Sequence, residues 1–274
     1  MPAMCTLFAS ENGAVTKRQI NYYEERARGG AGLIIVEATC VDSPQGKLVH
    51  PIQLRVDYDR YIPGLNELAE AVQTHNARIA LQLHHAGRQT TLESTEGRQP
   101  VSASPVYSDA YNKGIQARKL TIEEIEDIIE KYAKGAKRAK TAGFDAIEIH
   151  GAHGYLIEQF LSPFTNKRTD KYGGNLNSRM RFALEILNRT RQNVGEVFPI
   201  ILRLNGAEHV KGGITVEDTM TIAQKFEEAG VNALHISSGI NESPPQFQSC
   251  PPMPVPRGCF VHLAEKVKKV VDIP

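Results

Sequence analysis

The sequence predicts an α/β fold on a parallel sheet, in the form of a (β/α)8 barrel. Short apolar runs recur along the chain and end in polar residues, and amphipathic helical stretches separate them. None of the strand ends carries the GxGxxG turn expected of a dinucleotide-binding open sheet, so the barrel is favoured over the doubly wound alternative.

The strands are read in order as AGLIIVEAT (31–39), ARIALQLHHAG (77–87), AGFDAIEIHGAHG (142–154), PIILRLNG (199–206) and AGVNALHISSG (229–239). Each is short and apolar, as a strand buried on both faces should be. The third and fifth echo one another, AGFDAIEIH against AGVNALHIS, which indicates one unit used repeatedly. The clearest helix is LTIEEIEDIIEKYAKGAKRAKTAG, where Thr121 and Glu124 form a capping box and Ile125, Ile128, Ile129, Tyr132 and Ala136 keep helical spacing. YIPGLNELAEAVQTHN, SRMRFALEILNRTRQNV, TVEDTMTIAQKFEEAG and FVHLAEKVKKVV supply the others. At the start, residues 1–5 leave room for the tail of a first strand, and VVDIP resembles the entry into a seventh at Ile273. Residues 1–274 are therefore expected to be a partial barrel, from the end of strand one through the helix before strand seven, without strands seven and eight. Unpaired edges should make such a sheet poorly stable alone or dependent on a partner.

Composition excludes several classes of function. A formal charge of +1, with 32 basic and 31 acidic residues scattered among each other, leaves no footprint for nucleic acid. There is no apolar run of membrane-spanning length and no signal peptide in residues 1–10, so a cytoplasmic protein is expected. Cys5, Cys40, Cys250 and Cys259 form no CxxC pair, which argues for reduced thiols rather than a zinc ribbon or a disulfide framework.

A barrel presents its chemistry at the C-terminal ends of its strands, and those ends here carry Glu37, Gln82 with His84, His150, Arg203, and His235 with Ser237. Within EIHGAHGYLIEQFLSP (148–163), His150, His153 and Tyr155 lie close together just after a strand. From the residues alone, a strand-end histidine is usually structural, HxxH is also compatible with a metal pair, catalysis is the minority reading, and Tyr155 is more often a core side chain than not. A zinc hydrolase would need further ligands and an activated water, and no metallohydrolase pattern stands out among His84, His85 and His235.

QLHHAGR (82–88), EIHGAHGYLIEQFLSPFTNKRTDKYGGNLNSRMRF (148–182) and ILRLNG (201–206) resemble the old yellow enzyme family of FMN-dependent ene-reductases, over nearly the whole chain. The flanking segments 4–39 and 255–274 are most similar to the branch of 2-enoate, 2,4-dienoyl-CoA and bile-acid flavin reductases. The resemblance implies FMN as cofactor, NADH or NADPH as electron donor, and a small α,β-unsaturated carbonyl compound as substrate. An iron-sulfur cluster and FAD belong only to longer members of the branch, and a homo-oligomer is compatible with it.

Reducing an activated C=C bond builds negative charge on the carbonyl oxygen and requires a proton at the neighbouring carbon. Neutral imidazoles offer N–H donors, and the resemblance gives His150 and His153 the role of holding that oxygen. Tyr155 is expected to be the general acid, a phenol of ordinary pKa about 10 that is protonated at neutral pH. For the flavin, the resemblance implies Gln82, Arg203 and the backbone around Ala3, Met4 and Ala38, with Cys5 beside the ring. The plainer roles are a polar plug for Gln82 and an ion pair with Glu37 or Glu148 for Arg203. Arg179 and Arg181 are expected to anchor their loop, and the proline-rich segment 241–258 to lie over the barrel mouth. No histidine follows the sixth strand in SSGINESPP, which argues against a dienoyl-type proton relay. Competing readings are an amine-oxidising flavin barrel and an inactive barrel fragment with an assembly role.

Overall fold

The computed structural model describes residues 1–50, 52–107 and 114–274. Helix α1 (Lys17–Arg28) leads into strand β1 (Leu33–Cys40), and α2 (Ile62–Gln73) into β2 (Arg78–His84). A small three-stranded sheet follows, made of β3 (Val101–Ser102), β4 (Val106–Tyr107) and β5 (Gln116–Lys119). Helix α3 (Ile122–Thr141) precedes β6 (Ala146–Gly151); the short α4 (Leu156–Leu161) and long α5 (Leu176–Val194) precede β7 (Ile200–Asn205). Helix α6 (Val216–Glu228), β8 (Ala233–Ser237) and α7 (Val261–Lys268) complete the order.

The main sheet is parallel throughout, in the order β1-β2-β6-β7-β8. Its strands are neighbours in space in the order in which they occur in the chain. A doubly wound sheet reverses direction at a switch point, and this one does not. At one edge the Met1 ammonium donates to the Leu33 carbonyl at 2.6 Å and Ile35 N–H donates to Met1 at 3.0 Å, so the first residues lie alongside β1 as a strand tail. At the other, Leu234 N–H donates to the Pro274 carbonyl at 2.8 Å, where the next strand was expected to start. A cleft of about 430 Å³ between Met1–Pro2 and β8 with Pro274 marks the open side of the sheet.

The strands alternate with period two, which decides what each side chain can do. Ile79, Leu81, Ile147, Ile149, Ile200 and Leu202 point outward into the large core under the helices. Ile35, Ala80, Ala146 and Ile201 point inward and form a small interior cluster with Ala3 and Ala233. The polar residues read as strand ends, among them Gln82, His84, Glu148, His150 and Arg203, share that inward register. Around the outside, α1 packs on α2, α2 on α3, α3 on α5, α5 on α6 and α6 on α7.

Local signals start the helices. Thr121 accepts from Glu124 N–H while Glu124 accepts from Thr121 N–H at 2.9 Å, and Arg118 clamps the same carboxylate at 2.6 and 2.8 Å. Helix α6 has an equivalent box of Thr215 and Asp218. Two helices and the small sheet were not singled out in the sequence. Helix α1 is polar, with Gln19, Ile20, Tyr23 and Ala27 as its buried residues, and α4 spans less than two turns.

Removing the cap by Thr121→Ala should lower stability by about 1 kcal/mol. The outward core change Ile147→Ala should cost about 2–5 kcal/mol. Both are read from urea midpoints at an unchanged m-value.

Candidate active site

Four rings converge where β2 and β6 end. Ring centroids lie 4.4 Å apart for His84 and Tyr155, 5.0 Å for His150 and Tyr155, 5.0 Å for His150 and His153, and 6.5 Å for His153 and Tyr155. Between strand and α4 the chain turns through His153 at φ +62° and Gly154 at φ +74°. A side chain at Gly154 would meet the Gln89 amide at 2.4 Å, so glycine is required there on two counts. Tyr155 is the N-cap of α4 and packs against Ala38, Leu48 and Ala86.

Neighbouring amides hold the turn. Gln89 Nε2 donates to the His153 carbonyl at 2.6 Å and its Oε1 accepts from Asn241 at 2.6 Å, which ties the segment after β8 to the turn. Gln159 Nε2 donates to the Gly154 carbonyl at 2.7 Å, and its Oε1 accepts from Arg88 N–H at 3.2 Å. His153, Tyr155, Gln89, Asn241, Gln248 and Cys250 line a cavity of about 150 Å³. A larger groove of about 500 Å³ lies under the 249–261 segment but carries none of these groups.

Burial, reinforced by the neighbouring His153, His84 and Arg203, holds the His150 imidazole well below its ordinary pKa of 6.5. His153 is lowered likewise, by burial first and then by Arg203 and His235. His84 is pushed down to about 3, chiefly by burial. All three are neutral at neutral pH. Ala152 N–H donates to His150 Nδ1 at 3.3 Å, which leaves the ring proton on Nε2. His153 Nε2 meets the Ser237 hydroxyl at 2.7 Å, and when that hydroxyl donates, Nδ1 carries the proton. The pair therefore offers N–H donors without net charge.

The groups assigned to the flavin occupy the adjoining strands. His150, Arg203 and His235 are register partners across β6, β7 and β8. Glu148, fully buried, accepts from Gln82 Nε2 at 2.6 Å and meets His235 Nδ1 at 2.7 Å. Glu37 is engaged by Thr6 and Gln19. Neither carboxylate forms an ion pair with Arg203, so the partner expected for it on plain structural grounds is not supplied. Arg203 Nε is buried with no hydrogen-bond partner. An anionic or acceptor edge, such as the pyrimidine side of a flavin, fits this donor. Ala3 and Ala38 are buried, while Met4 and Cys5 are exposed next to them. Among the described residues no group of three or more His, Cys, Asp or Glu is placed to hold a metal ion, so HxxH finds no third ligand. Arg179 donates to the Leu161 and Gly174 carbonyls at 2.8 and 2.7 Å and Arg181 to Lys171 at 3.0 Å, so both anchor their loop.

A family model of the NADH:flavin oxidoreductase / NADH oxidase family, whose members use FMN, matches residues 1–270. The chain belongs to that family. It is 55% identical over all 274 residues to an NADH oxidase of Thermoanaerobacter brockii, spanning 41% of that protein. With an NADPH dehydrogenase of Halalkalibacterium halodurans it shares 41% identity over its whole length and 76% of the relative's. Among solved structures, a 2-naphthoyl-CoA reductase in complex with 2-naphthoyl-CoA superposes on the whole chain and on 43% of its own, with a TM-score of 0.91 at 32% identity. The sheet is thus part of a flavin-oxidoreductase barrel, and the chain spans about two fifths of two of these three relatives. Among the described residues no helix is long and apolar enough to cross a membrane.

Sequence reasoning missed Gln89, Gln159, Glu158 and Glu208, whose roles depend on partners far along the chain. Two buried histidines also set a pH dependence. The unfolded chain binds protons at about pH 6.5 while folded His84 and His150 do not, so their stabilising effect is full above that pH and is lost as pH falls below it. Unfolding free energy should fall by about 1.4 kcal/mol per pH unit for each, well below pH 6.5. Urea titrations at pH 7, 6 and 5, with His84→Leu removing one histidine's share of the slope, check this.

Proposed function

We propose that this chain is the catalytic barrel of an NAD(P)H-dependent ene-reductase acting on a C=C bond conjugated to a carbonyl. The observation that carries this reading is the convergence of His150, His153 and Tyr155, with centroids 5.0 to 6.5 Å apart, beside an unpaired Arg203. When bound, FMN would supply the hydride for the β carbon, with NADH or NADPH as the electron source.

The chain's residues supply the remainder. The neutral imidazoles of His150 and His153 hold the carbonyl oxygen with N–H donors, and stabilise it most as charge builds there. Tyr155 delivers its phenolic proton to the α carbon on the same side of the site. Arg203 and Gln82 would hold the polar edge of the flavin, and the backbone near Ala3, Met4 and Ala38, with Cys5, would supply its other contacts. Asn241, Gln248 and the rest of the segment after β8 close the small cavity beside His153 and exclude water from the substrate. An amine-oxidising barrel has no need of paired neutral donors with a phenolic acid, which favours alkene reduction.

Incubated with FMN and desalted, the purified chain should retain a flavin absorption spectrum. Tyr155→Phe should slow reoxidation of the reduced flavin by an enone about 10²-fold or more while leaving reduction by nicotinamide unchanged. Stopped-flow absorbance separates the two half-reactions; unchanged reoxidation would remove Tyr155 as the acid.

A further inference from the structure

Glu158 and Glu208 take no part in the chemistry above, yet both are almost wholly buried beside the turn that carries His153 and Tyr155. Glu158 Oε1 accepts from Asn205 Nδ2 at 2.6 Å, and Oε2 accepts from Gly154 N–H. Glu208 Oε2 accepts from the Ser162 hydroxyl and from Ile214 N–H, each at 2.7 Å. The two carboxyls are also hydrogen-bonded to each other. Two adjoining carboxylates in a dry site resist ionising together, and one proton held between them would relieve the repulsion. Burial raises both above the usual carboxylate range. The nearby cation, Arg88, is paired with Glu242 at 2.8 Å and acts on Glu208 only through space.

The contacts span three loops. Gly154 belongs to the turn after β6, Asn205 ends β7 and Glu208 follows it, and Asn205 Nδ2 also donates to the Gly239 carbonyl after β8 at 2.9 Å. We propose that Glu158 and Glu208, joined by one shared proton, form the positioning device that holds the His153–Tyr155 turn in register with the ends of β7 and β8. Its consequence for catalysis rests on the ene-reductase reading; its consequence for the turn does not.

The geometry separates the two glutamates. Both oxygens of Glu158 accept N–H bonds, so a glutamine there must aim its NH₂ at Gly154 N–H or at the Asn205 amide and lose one contact. Glu208 gathers the Ser162 and Ile214 donors on one oxygen, so a glutamine there keeps that acceptor and uses its NH₂ as the bridging donor to Glu158.

The test is amide hydrogen exchange on the purified chain incubated with FMN, comparing residues 153–156 with α3. Glu158→Gln should raise exchange in that turn at least tenfold with α3 within twofold of native. It should slow enone reoxidation at least tenfold and leave reduction by nicotinamide within twofold. Glu208→Gln should keep exchange in the turn within threefold of native. Native-like exchange in Glu158→Gln, equal rises in both variants, or a rise shared by α3 would overturn the proposal. Should Glu158→Gln fail to fold, Glu208→Gln decides: turn exchange within threefold supports the shared-proton pair and a larger rise overturns it. A native chain that binds flavin but turns over no enone would remove the ene-reductase reading, and the exchange result would still decide the role of the pair.

Discussion

A parallel sheet laid down in chain order sends the C-terminal end of every strand to one face. Because side chains alternate, each strand that puts two or three apolar residues under the helices must put its intervening residues inside the barrel. In β2, β6 and β7 those residues are Gln82 and His84, Glu148 and His150, and Arg203 and Asn205. The site is therefore the inner half of the same pattern that builds the outer core. Shifting the register of any one strand by a residue would exchange the two sets.

Polar groups placed inside a barrel must be neutral, paired or reserved for a ligand. All three solutions occur here. His84, His150 and His153 lose their charge to burial, Glu148 is satisfied by Gln82 and His235, and Arg203 is left with an unmet donor. That last imbalance is the feature on which the proposed flavin contact rests, because nearby carboxylates are already committed elsewhere.

Much of this was legible from sequence because it is local. The five long strands, the Thr121–Glu124 box and the His150–Tyr155 cluster lie within short windows whose spacing carries the signal. Helix α1 was harder to see, since its buried face consists of Gln19, Ile20, Tyr23 and Ala27 amid charged residues, too weak an apolar stripe to stand out. The strands β3 and β4 are two residues each, below any periodicity. Glu158 carries no local signal that sets it apart from other polar helix positions; Glu208 lies in another loop, and only the fold shows that both are dry. The plainer alternative for Arg203, an ion pair with Glu37 or Glu148, is not formed for a related reason: sequence places the charges at the right level, but competition from Gln82, His235, Thr6 and Gln19 decides where each carboxylate goes.

Below the reactive rings, the interior is tiled with methyl groups. Ala3, Ala80, Ala146 and Ala233 form its small members, with Ile35 and Ile201 as the larger ones. In the proposed site a flat tricyclic ring would need clearance above this floor, and alanine is the smallest side chain that still covers the backbone with an apolar group. Enlarging one alanine would raise the floor without touching a single donor or acid. In the proposed flavin site, the thickness of molecule admitted would thus be set by side chains with no chemistry of their own.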